Sequence, residues 1–417
     1  MRALLALTTA LTFAFAAAAC AAPEEEDDAS EGTEAAFSQD LRPELAQVND
    51  VSILFPLAKT KAAYDRGYLT TGDLLPKAIY ERAFGPPGTL QIGGTPPAPS
   101  QAGLRLVAVR FDPCFAQRGP VANEGACKNQ MRLVFQTLSF VKNKTTAADD
   151  AVHAFYALTR DELTSAVRTM IALRQRKGGE RRLGPLAPHP LLATTSGDLD
   201  VTTATEVNEL ITSLASADRL VQITQFAPSG LDTTWNFSGF DVEKSATLKI
   251  PTLPAGDDTH VAFFAGFTPG QLEGDPAFVP ASNAPPSDNI QDLGNRARAA
   301  AAGAEGRERA FAAMLRLENP DLHTPDTIDC ASCHAVEPVR KLLGEKHYAS
   351  EMARSRGAFE PDEHWVPAAD LAALETGESG VNVHMFSYKG TTPSIHRRTV
   401  NESAAIVAHI NARILTR

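Results

Sequence analysis

This sequence is short of sulfur, of tryptophan and of positive charge. Five cysteines and two tryptophans stand among 417 residues, and 39 Lys and Arg face 50 Asp and Glu. So few cysteines exclude a small scaffold stapled by disulfides, in which bridges stand in for a core. A formal charge of −11 offers no basic footprint, so nucleic acid is excluded as a partner. The chain contains no H-E-x-x-H pair, no glycine-rich phosphate loop and no nucleophile elbow. That removes common metalloprotease, nucleotide-binding and hydrolase signatures, and no catalytic residue is nominated. Past residue 19, no apolar run is long enough to cross a bilayer.

Most of the negative charge is local. Between Glu24 and Glu44 nine acidic residues face one Arg, which accounts for eight of the eleven net negative charges. A segment so acidic and so poor in large apolar residues cannot bury enough surface to offset its ordering entropy. Residues 20–49 are therefore read as a disordered tether. Residues 1–19 carry Arg2, an apolar run from Ala3 to Ala16 and then small residues, the pattern of an export signal peptide. Ala17-Ala18-Ala19-Cys20 resembles a bacterial lipobox, which implies acylation of Cys20 and a lipid anchor in the membrane. Cleavage after one of the alanines is the alternative. The expected location is periplasmic or cell-surface, as a membrane-tethered lipoprotein.

Alternating apolar positions in GLRLVAVRF and QMRLVFQTLSFV predict strands, as do RLVQITQF, TTWNFSGFDV, ATLKI and THVAFFAGF. TRDELTSAVRTMIALRQRK predicts a helix capped by Thr159 with Glu162 three residues on. The expectation over 50–265 is an α+β domain with an antiparallel sheet and no evident chemistry of its own. Its histidines His153, His189 and His260 are scattered and are read as structural. A Pro/Gly-rich linker is expected over 266–291. An all-α domain is expected over 292–417, opening with a helix that stops at Asn319-Pro320, since proline cannot continue it.

The stretch DTIDCASCHAVEP carries Cys330, Cys333 and His334. A C-x-x-C-H run is expected by chance on the order of once in a thousand chains of this composition. A closed zinc site would need four N or S ligands, yet no cysteine follows Cys333 and no His pair has the usual short spacing. A redox dithiol would sit at a strand-to-helix turn, and here a long helix comes first. Covalent haem explains every element: two thiols add across vinyl groups and the adjacent imidazole reaches the iron. A second C-x-x-C-H is absent, so one haem c is expected. With Cys20, Cys330 and Cys333 assigned, Cys114 and Cys127 are expected to pair in a disulfide. Two buried thiols are the alternative.

Residues from about 290 onward resemble the class I cytochrome c family. The resemblance rests on the helix ending near Leu317, on Cys330, Cys333 and His334, on Met385 further on, and on a last helix in NESAAIVAHINARILTR. It implies His334 as the proximal iron ligand and Met385 as the distal one. His396, His323 and His384 are the alternative distal ligands. Phe386 and Tyr388 are expected as apolar walls, with Arg397 or Arg398 toward a propionate and Asn401 or Ser403 capping the last helix. The leading expectation is a mono-haem cytochrome that passes single electrons to a redox partner protein or small molecule. A haem peroxidase or oxidase, and a surface ligand-binding protein with a sensory or structural haem, are the rivals.

Overall fold

The structure is a computed structural model that describes residues 44–72, 74–84, 99–113, 128–178, 182–228, 234–242, 248–249, 258–264, 275–279, 290–294, 296–323, 328, 330–355 and 382–415. The signal, the tether as far as residue 43, Cys20, and the Cys114 and Cys127 pair lie outside these residues. The end of the expected tether is ordered instead, with Ala46, Val48 and Asn49 buried and a helical turn over Val48–Val51.

Ten strands form one antiparallel sheet. They are β1 Ser52–Leu54, β2 Leu104–Asp112, β3 Gln130–Val141, β4 Lys144–Ala147, β5 Ala151–Ala157, β6 Leu220–Pro228, β7 Thr234–Val242, β8 Leu248–Lys249, β9 Asp258–Phe264 and β10 Asp275–Val279. The path runs β1-β2-β3-β5-β6-β7-β9-β10, with β4 on β3 and β8 on β7. The antiparallel α+β expectation holds. β3 and β4 pair across Lys142-Asn143, where φ values of 52° and 57° give the twist a two-residue hairpin needs. β2 is buried along nearly its whole length, as a strand covered on both faces must be. β10 lies inside the Pro/Gly-rich stretch expected as linker.

Two long helices join the strands of the first part: α1 Arg160–Gly178 and α2 Val201–Leu214. The reciprocal cap read from the sequence is present. Thr159 N donates to Glu162 Oε2 at 2.8 Å and Glu162 N donates to Thr159 Oγ1 at 3.2 Å. Asp200 caps α2 by accepting from Thr202 N and Thr203 N.

The later part adds α3 Gly303–Leu317, α4 Cys330–Val339 and α5 Arg397–His409, with π-helical turns continuing α4 through Arg340–Glu345 and α5 through Ile410–Ile414. It is not all-α. Strands β11 Phe386–Lys389 and β12 Thr392–Ile395 form an antiparallel hairpin. Gly390 turns it with φ 62°, a conformation that costs glycine nothing, while Phe386, Tyr388 and Ile395 are buried. The expected caps are also corrected: α5 begins at Arg397 with His396 at its N-cap, so Asn401 and Ser403 lie inside it.

Pro43–Arg417 is one compact unit. Tyr388 Oη donates to Phe55 O at 2.7 Å, Ala147 N donates to Gly390 O at 2.9 Å, and Asn411 exchanges two hydrogen bonds with the Ala46 backbone. One apolar cluster runs from Val48 through the sheet to Ile414. The segment that carries C-x-x-C-H therefore shares its core with the sheet.

Candidate functional site

An internal cavity separates α4 from the sheet. Its volume is ≈ 110 Å³, below the roughly 300–1,000 Å³ of small-molecule and cofactor sites.

The floor follows from strand register. Antiparallel pairing sets Arg110, Arg132, Phe155 and Gln222 side by side across β2, β3, β5 and β6. The next row on the same face is Val134, His153 and Thr224, and the row beyond is Ala151, Phe226 and Phe237. All ten residues line the cavity, because residues two apart on a strand share a face and cross-strand partners share it too. A one-residue slip would turn this whole set away.

The roof is α4. Cys330, Cys333 and His334 stand at i, i+3 and i+4 and so share one helix face, and all three line the cavity. Both cysteines are half-buried. The side wall comes from Ile328, from Met385, Phe386 and Ser387 at the hairpin, and from Thr399 and Glu402 on α5.

His334 has a defined tautomer. Its Nδ1 lies 2.6 Å from Val383 O, and since a carbonyl can only accept, Nδ1 bears the hydrogen and Nε2 the lone pair. Its ring rests against Phe237 at 5.0 Å and Phe226 at 5.4 Å between centroids. Burial lowers its pKa to about 3; the Val383 contact opposes the shift, and the nearby charges of His396, His384 and Arg132 add to it. At neutral pH it is a neutral imidazole, held in the state a metal ligand requires.

The four residues named for the distal position are not equivalent. Met385 lines the cavity, with Sδ 3.8 Å from Cys333 Sγ. His384 does not line it. Its Nε2 bonds Asp149 Oδ1 at 2.7 Å and its Nδ1 bonds Ser387 Oγ at 3.0 Å, which occupies both ring nitrogens. Asp149 answers this pair: burial pushes its pKa up, but His384, with the Trp235 hydrogen bond and the Lys389 charge, reverses this and the carboxyl titrates below its ordinary value. His396 is buried at the start of α5 and His323 is buried beyond α3, and neither lines the cavity.

The arginines expected at a propionate are corrected. Arg398 is spent on Glu402, Leu317 O and His323 O, and Arg397 does not line the cavity. Arg110 and Arg132 do. Arg110 bonds Asp112 Oδ1 at 2.6 Å and also Glu402. Burial alone would lower the Arg110 pKa, but Asp112 and Glu402 raise it overall, so the guanidinium stays charged. Arg132 stacks its guanidinium on the Phe155 ring at 4.9 Å and keeps Nε without a hydrogen-bond partner. Tyr388, expected as a wall, points instead to Phe55 O; Phe386 does line the cavity.

The sheet residues were missed because only pairing brings them together. A signal existed for two of them. Arg110 and Arg132 each interrupt an apolar strand, and a charge buried in a strand must be paired or must serve a ligand. For His153, the alternation of Ala151, His153 and Phe155 announces a shared face but not which side it looks to.

No protein-family model matches this chain, and neither does any curated protein or solved structure.

Proposed function

We propose that this chain is an exported, membrane-anchored mono-haem c-type cytochrome that carries single electrons. The observation that carries the reading is the convergence of both C-x-x-C thiols and a neutral, oriented His334 on one apolar cavity. Among the described residues no group of three or more His, Cys, Asp or Glu is gathered for a metal ion. A bare ion needs about four protein ligands, whereas a porphyrin brings four nitrogens of its own and asks the protein for one or two.

The residues fit such a group. Val134, Phe155, Phe226, Phe237 and Ile328 would cover a flat apolar ring, Cys330 and Cys333 would add their S–H bonds across its vinyls, and His334 Nε2 would ligate the iron. The orphaned Arg132 Nε would meet an anionic substituent, charge to charge. A bound haem supplies a one-electron iron couple. The chain's own part is to exclude water, anchor the group twice and hold the imidazole.

Production of the full chain in a host that attaches haem c, followed by intact-mass spectrometry, tests this. One added haem is expected in the wild type. The Cys330→Ala, Cys333→Ala double variant should lose all covalent haem, and each single variant should keep one thioether. A mass with no haem, with two, or with a metal ion instead overturns the reading. Failure of the reduced protein to take up carbon monoxide favours electron transfer over peroxidase or oxidase chemistry, because a closed sixth position leaves no site for a substrate.

A further inference from the structure

We propose that the distal iron ligand is His153, presented by strand β5 of the sheet, and not Met385; this rests on the haem reading above.

The first observation is a distance. The His153 and His334 ring centroids are 6.2 Å apart. An imidazole nitrogen binds a first-row metal at about 2.0–2.1 Å, and ring bonds of about 1.33 Å put that nitrogen about 1.1 Å from the ring centre. Two imidazoles on opposite sides of one ion therefore have centroids about 6.3 Å apart. His153 stands at the separation that a shared iron would set.

The second observation is what His153 does otherwise. It lines the cavity, and among the described residues its ring contacts are Phe155 at 6.3 Å and His334. Neither ring nitrogen makes a hydrogen bond to a described residue, whereas His384 has both engaged. β5 is a central strand, held by β3 on one side and β6 on the other, so the imidazole is carried on a rigid element.

The third observation concerns the side on which Met385 sits. His334 donates Nδ1–H to Val383 O, so Val383 lies behind the imidazole, away from where Nε2 points. Met385 is two residues further, and its Sδ is 3.8 Å from Cys333 Sγ, one of the two sulfurs that would fix the ring edge on the His334 side. A distal ligand must approach from the opposite face. The Val383 to Met385 segment belongs to the proximal wall, and the sheet provides the distal one.

Two imidazoles lower the reduction potential relative to an imidazole and a thioether, so the assignment changes which partners the protein can reduce. The test uses the full chain with covalent haem quantified by mass in every sample. Expected for the oxidised wild type is a bis-imidazole signal by electron paramagnetic resonance with no sulfur-to-iron charge-transfer band, and Met385→Ala should leave both unchanged. His153→Ala should lose that signal, bind carbon monoxide when reduced and regain a bis-imidazole signal on adding free imidazole. His153→Met should gain the sulfur band and move the potential upward.

A wild-type sulfur band that Met385→Ala removes overturns the proposal, as does an unchanged spectrum in His153→Ala that still holds covalent haem. If His153→Ala does not fold, the wild type and Met385→Ala decide alone. If the wild type carries no haem, the haem reading fails, and mass shows this before any spectrum is taken.

Discussion

The two walls of the cavity are written in the chain in opposite ways. The α4 wall is local: Cys330, Cys333 and His334 fall within five residues, and helix geometry alone puts them on one face. The sheet wall is assembled from Arg110, Arg132, His153, Thr224 and Phe237, spread over more than a hundred residues and joined only by cross-strand register. One wall names its chemistry and says nothing of its surroundings. The other builds the surroundings and names nothing. A motif points to a chemistry; the long-range pairing decides what stands across from it.

If the sheet wall is structure and the α4 wall is attachment, substitutions should separate in the absence of haem. The largest effect is expected at the charge cluster that ties α5 to β2. Glu402→Ala removes the partner of Arg110 and Arg398, and breaking a buried pair from one side costs roughly 3–5 kcal/mol. Urea unfolding of the haem-free chain measures it, and a cost near zero would mean that α5 and the sheet are not coupled there.

The same cluster has a pH signature. Burial raises the Glu402 pKa, but Arg110, Arg398 and Arg132 more than reverse this and hold it at about 2. A depressed carboxyl stabilises the fold above its ordinary value of about 4.5 and loses that contribution as pH falls toward 2. His334 adds to the same acid loss over a higher window. Its folded value of about 3 lies below the ordinary 6.5, so the unfolded chain binds the extra proton between those limits. Glu402→Gln should flatten the acid limb between about pH 4.5 and 2, and His334→Ala should flatten it between about 6.5 and 3, in haem-free protein followed by circular dichroism. Superimposable curves would erase the distinction.

A smaller effect belongs to the floor. Phe226→Leu should cost about 1–2 kcal/mol with or without haem, since the ring packs on Phe237 and His384 as well as on the cavity. A cost confined to the haem-bound form would move Phe226 from the structural wall to the attachment wall. The smallest expected effect is Arg132→Gln, about 1 kcal/mol without haem, because it gives up only the long Nη2 contact to Asp112 Oδ2 at 3.4 Å while Asp112 keeps Arg110. With haem it should shift the reduction potential, read by redox titration. An identical potential would leave the unpartnered Arg132 Nε without a role.

What was legible follows the same division. The strands around Leu106 and Leu133, the capped helix from Arg160 and the C-x-x-C-H could be read because each depends on neighbours a few residues away. The hairpin Phe386–Ile395 was hidden behind its polar and proline content, SYKGTTPS, although Phe386, Tyr388 and Ile395 alternate as a half-buried strand requires. β10 was hidden in the same way among prolines. The separation into a sheet domain and a helical domain suggested itself because composition changes near residue 290. Hydrogen bonds such as Gln136 Nε2 to Tyr388 O at 2.6 Å and Ser52 Oγ to Ser403 Oγ at 2.7 Å join residues whose partners lie hundreds of positions away, and no window of sequence contains both.

The cavity roof also sets a timetable. Strands β1 to β7 precede Cys330 in the chain, so on emergence the sheet can pair while Phe226 and Phe237 still look out at water. Only when α4 and the hairpin arrive does that apolar floor gain its cover. Thiols that become half-buried under this lid are reached most freely before it is laid. On the haem reading, maturation is thus a race between chemistry on an open chain and closure by burial, and a nascent form caught without its cofactor would present a sticky sheet to its neighbours.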